Sequence, residues 1–204
     1  MNTDKKQALS VHLKAIRRML IVSVASVAVL FVLFFYLLCG PLVDFVLAPV
    51  RARGIEVITT SVSEALMMQF KVCLIAAVIA GMPVIIWQVW VFVAPALYPQ
   101  EKRLFAALFF VALLLFVGGV VFCYCLVFPM AIDLFWSAAD GVASTLWSVK
   151  EYFNFVLSFV LPFGLMFELP VVVYMLARRG LVTYQKLAHS RKYVILVIAI
   201  IAAI

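Results

Sequence analysis

Ionisable groups are what this 204-residue chain has least of: nine acids, two histidines and a charged fraction of 12%. So thin a supply excludes most enzyme chemistry, and the motifs agree. There is no HExxH, no GxSxG, no P-loop and no pair of aspartates within an apolar run, so hydrolysis has no visible apparatus. His12 and His189 lie in basic segments and read as solvated interface residues rather than metal ligands or catalysts. The four cysteines form no Cys-x-x-Cys, and Cys123 and Cys125, two apart, point ~200° from each other on a helix. No enzyme activity, cofactor or metal is expected.

What is abundant is apolar surface. With 68% hydrophobic residues and a mean hydropathy of +1.24, the chain carries more than one water-soluble core could hide. It reads as all-α, a polytopic integral membrane helical bundle forming a single domain over 1–204. Spans are expected at about 19–39, 72–94, 104–128 and 154–177, with a partial fifth at 193–204. Twelve residues make only ~18 Å of helix, too short to span, so a natural C-terminus lying beyond Ile204 is expected. Met19–Cys39 is too long for a cleaved signal peptide. Pro41, Pro49 and Gly54 should break any long helix after it, leaving a short one over Leu42–Leu47. Ser61-Val62-Ser63-Glu64 has capping-box spacing, so a helix should start there, run on into Val72–Ala94 and kink at Pro83. Gly118-Gly119 offers a close helix approach in the third span, and Pro129–Lys150 reads as a second outer segment.

The +7 formal charge would suggest nucleic acid in a soluble protein, but here the basic residues must be read by side. If the N-terminus is cytoplasmic, twelve Lys and Arg fall inside and four (Arg51, Arg53, Lys71, Lys150) outside, a positive-inside bias. The cysteines, Cys39 and Cys73 included, then project toward the outer half. That keeps a disulfide-relay enzyme open as a rival, against the reading of reduced apolar fillers.

Two acids stand out. Glu168, in Phe163-Gly164-Leu165-Met166-Phe167-Glu168-Leu169-Pro170-Val171, is ~15 Å of helix from Arg178, near the middle of a ~30 Å apolar slab. A carboxyl there is costly and by default functional. Asn154, Ser158, Leu161, Leu165 and Glu168 share a narrow arc, a thin polar stripe that should face inward. The plainer reading is that Glu168 serves backbone carbonyls freed by Pro162 and Pro170; a sharper rival is a small proton-coupled transporter or channel centred on it, though no internal repeat is seen. Glu101, beside Lys102 and Arg103 in a short inner loop, is either a solvated charge or a docking point for a cationic ligand, since a carboxylate accepts an arginine fork bidentately.

The run Gln88-Val89-Trp90-Val91-Phe92-Val93-Ala94-Pro95-Ala96-Leu97-Tyr98 with Glu101-Lys102-Arg103, the Phe163–Val171 stretch, and Arg191-Lys192-Tyr193 together resemble the TatC family, signal-peptide receptors of the twin-arginine translocase. His12-Leu13 with Arg17 looks like its N-terminal motif, and Ala48-Pro49 matches a proline of its first outer loop. The resemblance implies a six-helix protein of the cytoplasmic (inner) or thylakoid membrane. It implies export of folded cargo driven by the proton-motive force, an oligomeric assembly with TatA- and TatB-type single-span partners in membrane lipid, and no nucleic acid. It places Glu101, Arg17, Phe92 and Pro95 at the signal-peptide surface, Glu168 on a concave membrane face and Pro49 in a structural role outside. Ala15 stands where the family usually has an acid, so half of an expected pair of carboxylates for two arginines is missing.

Overall fold

The structure, a computed structural model, describes residues 2–93, 102–139 and 146–178. Six helices follow one another: α1 (Asn2–Leu37), α2 (Cys39–Arg51), α3 (Val62–Val93), α4 (Lys102–Phe122), α5 (Phe128–Ala139) and α6 (Val149–Arg178). A π-helical turn, Cys123–Val127, joins α4 to α5. Two short strands, Val57–Ile58 and Trp147–Ser148, pair in parallel with Val57 opposite Trp147. Among the described residues, four stretches are long and apolar enough to cross a membrane: Leu13–Leu37, Val62–Val91, Ala106–Ala138 and Val149–Ala177.

Helix directions follow from the contacts. Phe35 of α1 stacks on Phe70 early in α3, with ring centroids 4.7 Å apart. Late in α3, a side chain at Gly81 would meet Val27 of α1 at 3.2 Å. The two helices are therefore antiparallel, as are α4 and α6: Ala112 and Phe116 of α4 cluster with Val171 late in α6, whereas Cys123 and Phe128, just past α4, cluster with Phe153 and Val156 early in α6. By contrast, α3 and α6 run parallel, because Glu64 and Lys150 meet near the starts of both. Two apolar cores result. One gathers Leu47, Val50, Val72, Phe128, Ile132 and Phe153 at the α2 end; the other holds Met82, Trp90, Ala112, Phe116 and Val171 toward the opposite end.

Prolines bear on two departures from expectation. The helix after the first span covers Cys39–Arg51 rather than Leu42–Leu47. Pro41 lies in its first turn, where an N–H has no intrahelical partner to lose. Pro49 is inside α2 and leaves the Phe45 carbonyl, four residues back, without its helical donor; the Tyr124 hydroxyl donates to that carbonyl instead, at 2.8 Å. The third apolar stretch, expected over 104–128, likewise continues in helix through Pro129 to Ala139. Its register slips by one residue in the π turn, where the Phe128 N–H bonds back to the Cys123 carbonyl, so Pro129 falls in the first turn of a restarted helix. α6 runs unbroken through Pro162 and Pro170.

Candidate functional site

At the end of the bundle where α3 and α6 begin, one buried acid holds both helix starts. Glu64 is 6% exposed. Its Oε2 accepts the Thr60 and Ser61 amides at 2.8 and 3.1 Å and the Thr60 hydroxyl at 2.7 Å. Its Oε1 accepts the Ser148 hydroxyl at 3.0 Å and the Lys150 amide at 2.7 Å. The capping box is thus half formed: the glutamate takes the amides, while the Ser61 hydroxyl lies 3.3 Å from that of Ser63 instead. A carboxylate collecting the amides that lead into α3 and a first-turn N–H of α6 also meets the positive ends of both helix dipoles.

Nearby, Arg53 forks onto Asp133 of α5, with Nε–Oδ1 2.6 Å and Nη2–Oδ2 3.2 Å, and its Nη1 donates to the Pro49 carbonyl at 3.0 Å. Asp133 holds the Arg53 guanidinium above its ordinary pKa through that hydrogen bond. Arg51 pairs with Asp44 at 2.7 Å. Tyr152 donates to the Val46 carbonyl at 2.7 Å. Pro49, expected to be structural, is therefore surrounded by groups that serve the carbonyls around it.

Glu168 lies on α6 one turn beyond its closest contact with α4. A side chain at Gly119 would come within 2.9 Å of the Phe163 carbonyl oxygen and of the Phe167 ring, and one at Gly164 within 2.6 Å of the Phe116 ring. The helices touch backbone to ring here, which fixes the direction of α6 just before the acid. The Oε1 of Glu168 is buried and has no hydrogen-bond partner among the described residues. A role in serving the proline-freed carbonyls is therefore not seen there.

The polar stripe faces inward only in part: Asn154, Leu161 and Glu168 are half-buried, whereas Ser158 is exposed and Leu165 is 55% exposed. At 100° per residue it lies about 40–120° round the helix from Gly164, so the face that meets α4 is its neighbour. Asn154, at its top, accepts a hydrogen bond from Lys71 of α3 at 2.8 Å.

Arg17 and Phe92 belong to the other end. Arg17 is exposed on α1. Phe92 is in the last turn of α3. Counting out from the Val27–Gly81 contact, ten residues back along α1 and eleven forward along α3, puts both ~15–17 Å beyond it at the same end. Pro95 and Glu101 lie outside the described residues, as do His189 and the fifth apolar run. Sequence reasoning missed Arg53 and the second half of the Glu64 cluster. Their partners are 76–86 residues away, and no local pattern marks them.

Residues 11–204 match the TatC family, described as Sec-independent protein translocase protein. The chain belongs to that family. A TatC from Carboxydothermus hydrogenoformans is 36% identical over 200 residues, 98% of this chain and 82% of the relative; one from Haemophilus influenzae is 33% identical, covering 95% and 77%. A solved crystal structure titled as the twin-arginine translocase receptor TatC superposes with a TM-score of 0.85 at 35% identity, covering 94% of this chain and 86% of that one. The chain is thus a multi-pass membrane protein of a translocase family rather than an enzyme family, and the expected all-α membrane bundle is the fold observed. Membership favours the translocase over the proton-coupled transporter.

Proposed function

We propose that this chain is the signal-peptide receptor of a twin-arginine translocase in the cytoplasmic membrane, with its N-terminus inside. The carrying observation is the fold shared along nearly the whole chain with a solved receptor of that kind. On this reading the end bearing Arg17 and Phe92 faces the cytoplasm, and Pro95 and Glu101, which follow α3 in sequence, act at that same face. Glu101 accepts the guanidinium fork of a leader's arginine, a charged hydrogen bond worth roughly 1.5–3 kcal/mol. With Ala15 where a second acid is expected, the site relies on Glu101 alone and binds the double arginine more weakly or less selectively.

The cargo is folded, the driving force is the proton-motive force, and TatA- and TatB-type single-span proteins complete the oligomeric assembly. Glu168 faces them as a polar point within the membrane. The test is site-specific photocrosslinking of a leader carrying Arg-Arg or Lys-Lys to the membrane-embedded protein. Arg-Arg labelling should exceed Lys-Lys labelling and fall in Glu101→Ala; equal labelling, or labelling unchanged in the variant, defeats the assignment.

A further inference from the structure

The groove between α3 and α6, below the Glu64 cluster, has no part in the reading above. It consists of two adjoining hollows of about 250 Å³ each. The upper is lined by Ser61, Ser63, Met67 and Lys150, the lower by Leu74, Ile75, Leu157 and Ser158; Lys71 and Asn154 line both. Both hollows are mostly apolar; Lys150 brings charge to the upper one and Lys71 to both, while Leu74, Ile75 and Leu157 line the lower one. From Ser63 to Ile75 the groove follows twelve residues of helix, ~18 Å, close to the depth of one leaflet of a ~30 Å hydrocarbon layer.

Its charges are unbalanced. The ion pairs among the described residues are Arg51–Asp44 and Arg53–Asp133, and neither Lys71 nor Lys150 belongs to one. Glu64, the carboxylate lining the groove, already has both oxygens committed to five donors. Lys71 spends one N–H on Asn154, leaving two of an ammonium's three donors. A cation at this depth in a membrane protein ordinarily has a counter-charge.

We propose that the groove holds one anionic phospholipid, with its phosphate between Lys71 and Lys150 and an acyl chain running down past Leu74, Ile75 and Leu157. A soluble anion answers the lysines but leaves the apolar lining at Leu74, Ile75 and Leu157 to water. A zwitterionic lipid fills the hollow but brings its own cation to two ammoniums. An anionic amphiphile satisfies both halves.

The experiment is thermal unfolding of the purified, delipidated protein in detergent with added dioleoylphosphatidylglycerol, dioleoylphosphatidylcholine or sodium phosphate. Retained lipid is counted by native mass spectrometry from an equimolar mixture of the two lipids. Phosphatidylglycerol should raise the melting midpoint above phosphatidylcholine and be retained about tenfold in preference. Phosphate alone should give no shift. The preference should vanish in Lys71→Gln/Lys150→Gln and persist in Lys71→Arg/Lys150→Arg. Equal stabilisation by the two lipids, a preference that survives in the glutamine variant, or phosphate reproducing the shift overturns the proposal, the last by making this a soluble-anion site. If the double glutamine variant does not fold, Lys150→Gln alone, at an exposed residue, must lower the mass-spectrometric preference, and an unchanged preference overturns the proposal equally.

Discussion

Adding one methyl group at Gly119 tests the packing that positions α6. The Cβ of an alanine there would lie 2.9 Å from the Phe163 carbonyl oxygen, 2.9 Å from Cγ of Phe167 and 3.0 Å from its Cβ. Ordinary contact begins near 3.4 Å, and all three atoms are backbone or the root of a side chain, so relief requires α6 itself to retreat by roughly half an ångström. Forcing an extra methyl into a packed interface costs typically 1–3 kcal/mol. The neighbouring glycine is the control, because a Cβ at Gly118 meets nothing within 4 Å. Both positions lie within α4, so the helix-propensity gain from glycine to alanine, up to ~1 kcal/mol, is common to both and cancels in the comparison.

Gly119→Ala should therefore be less stable than Gly118→Ala by about 1–3 kcal/mol. At about 2–4 °C per kcal/mol for a chain of this size, their melting midpoints in detergent should differ by about 2–12 °C. Equal midpoints, or a higher one for Gly119→Ala, would refute the close approach. Because Glu168 lies beyond this contact on the same helix, an export assay on the two variants should rank them in the same order.

Three more outcomes follow from named contacts. Tyr124→Phe keeps the stack on Phe45, with centroids 4.4 Å apart, and deletes the donor to the Phe45 carbonyl; it should cost about 0.5–1.5 kcal/mol in thermal unfolding. In a Pro49→Ala background, where the alanine N–H can serve that carbonyl, the cost should shrink toward zero, and an equal cost in both backgrounds removes the link. Glu64→Ala strips five hydrogen bonds and Glu64→Gln strips those on one oxygen, so melting midpoints should fall in the order wild type, Gln, Ala; a glutamine variant as stable as wild type argues against the two-sided cluster. Glu168→Leu removes a buried oxygen that has no partner among the described residues. It should raise the melting midpoint yet lower export, whereas Glu168→Gln should keep export closer to wild type; a leucine variant exporting normally sinks the functional role of that acid.

The membrane bundle was legible because hydropathy reads long apolar runs directly, and the start of α3 was legible because a capping box is local. Gly118-Gly119 was half right: sequence marks two small residues, but only the rotation of α4 against α6 decides that Gly119 makes the contact. Pro129 misled because a proline ends a helix unless the register slips before it, and the π turn at Cys123–Val127 supplies that slip. Arg53 with Asp133, and Glu64 with Ser148 and Lys150, were invisible, since each joins residues 80 or more apart through geometry the fold creates. Glu168 was found from its chemistry alone, a carboxyl where hydrocarbon was expected. Which way it points depended on the face α6 gives to α4.

The reach of Glu64 across the chain also has a bearing on how the protein is made. Its Oε2 finds its donors within four residues, as soon as that stretch leaves the ribosome, whereas those for Oε1 arrive 84 and 86 residues later. Until the fourth pass enters the membrane, the top of the second stays open on one side. A nascent chain stalled before Lys150 should therefore be the species that quality-control proteases find easiest to unravel.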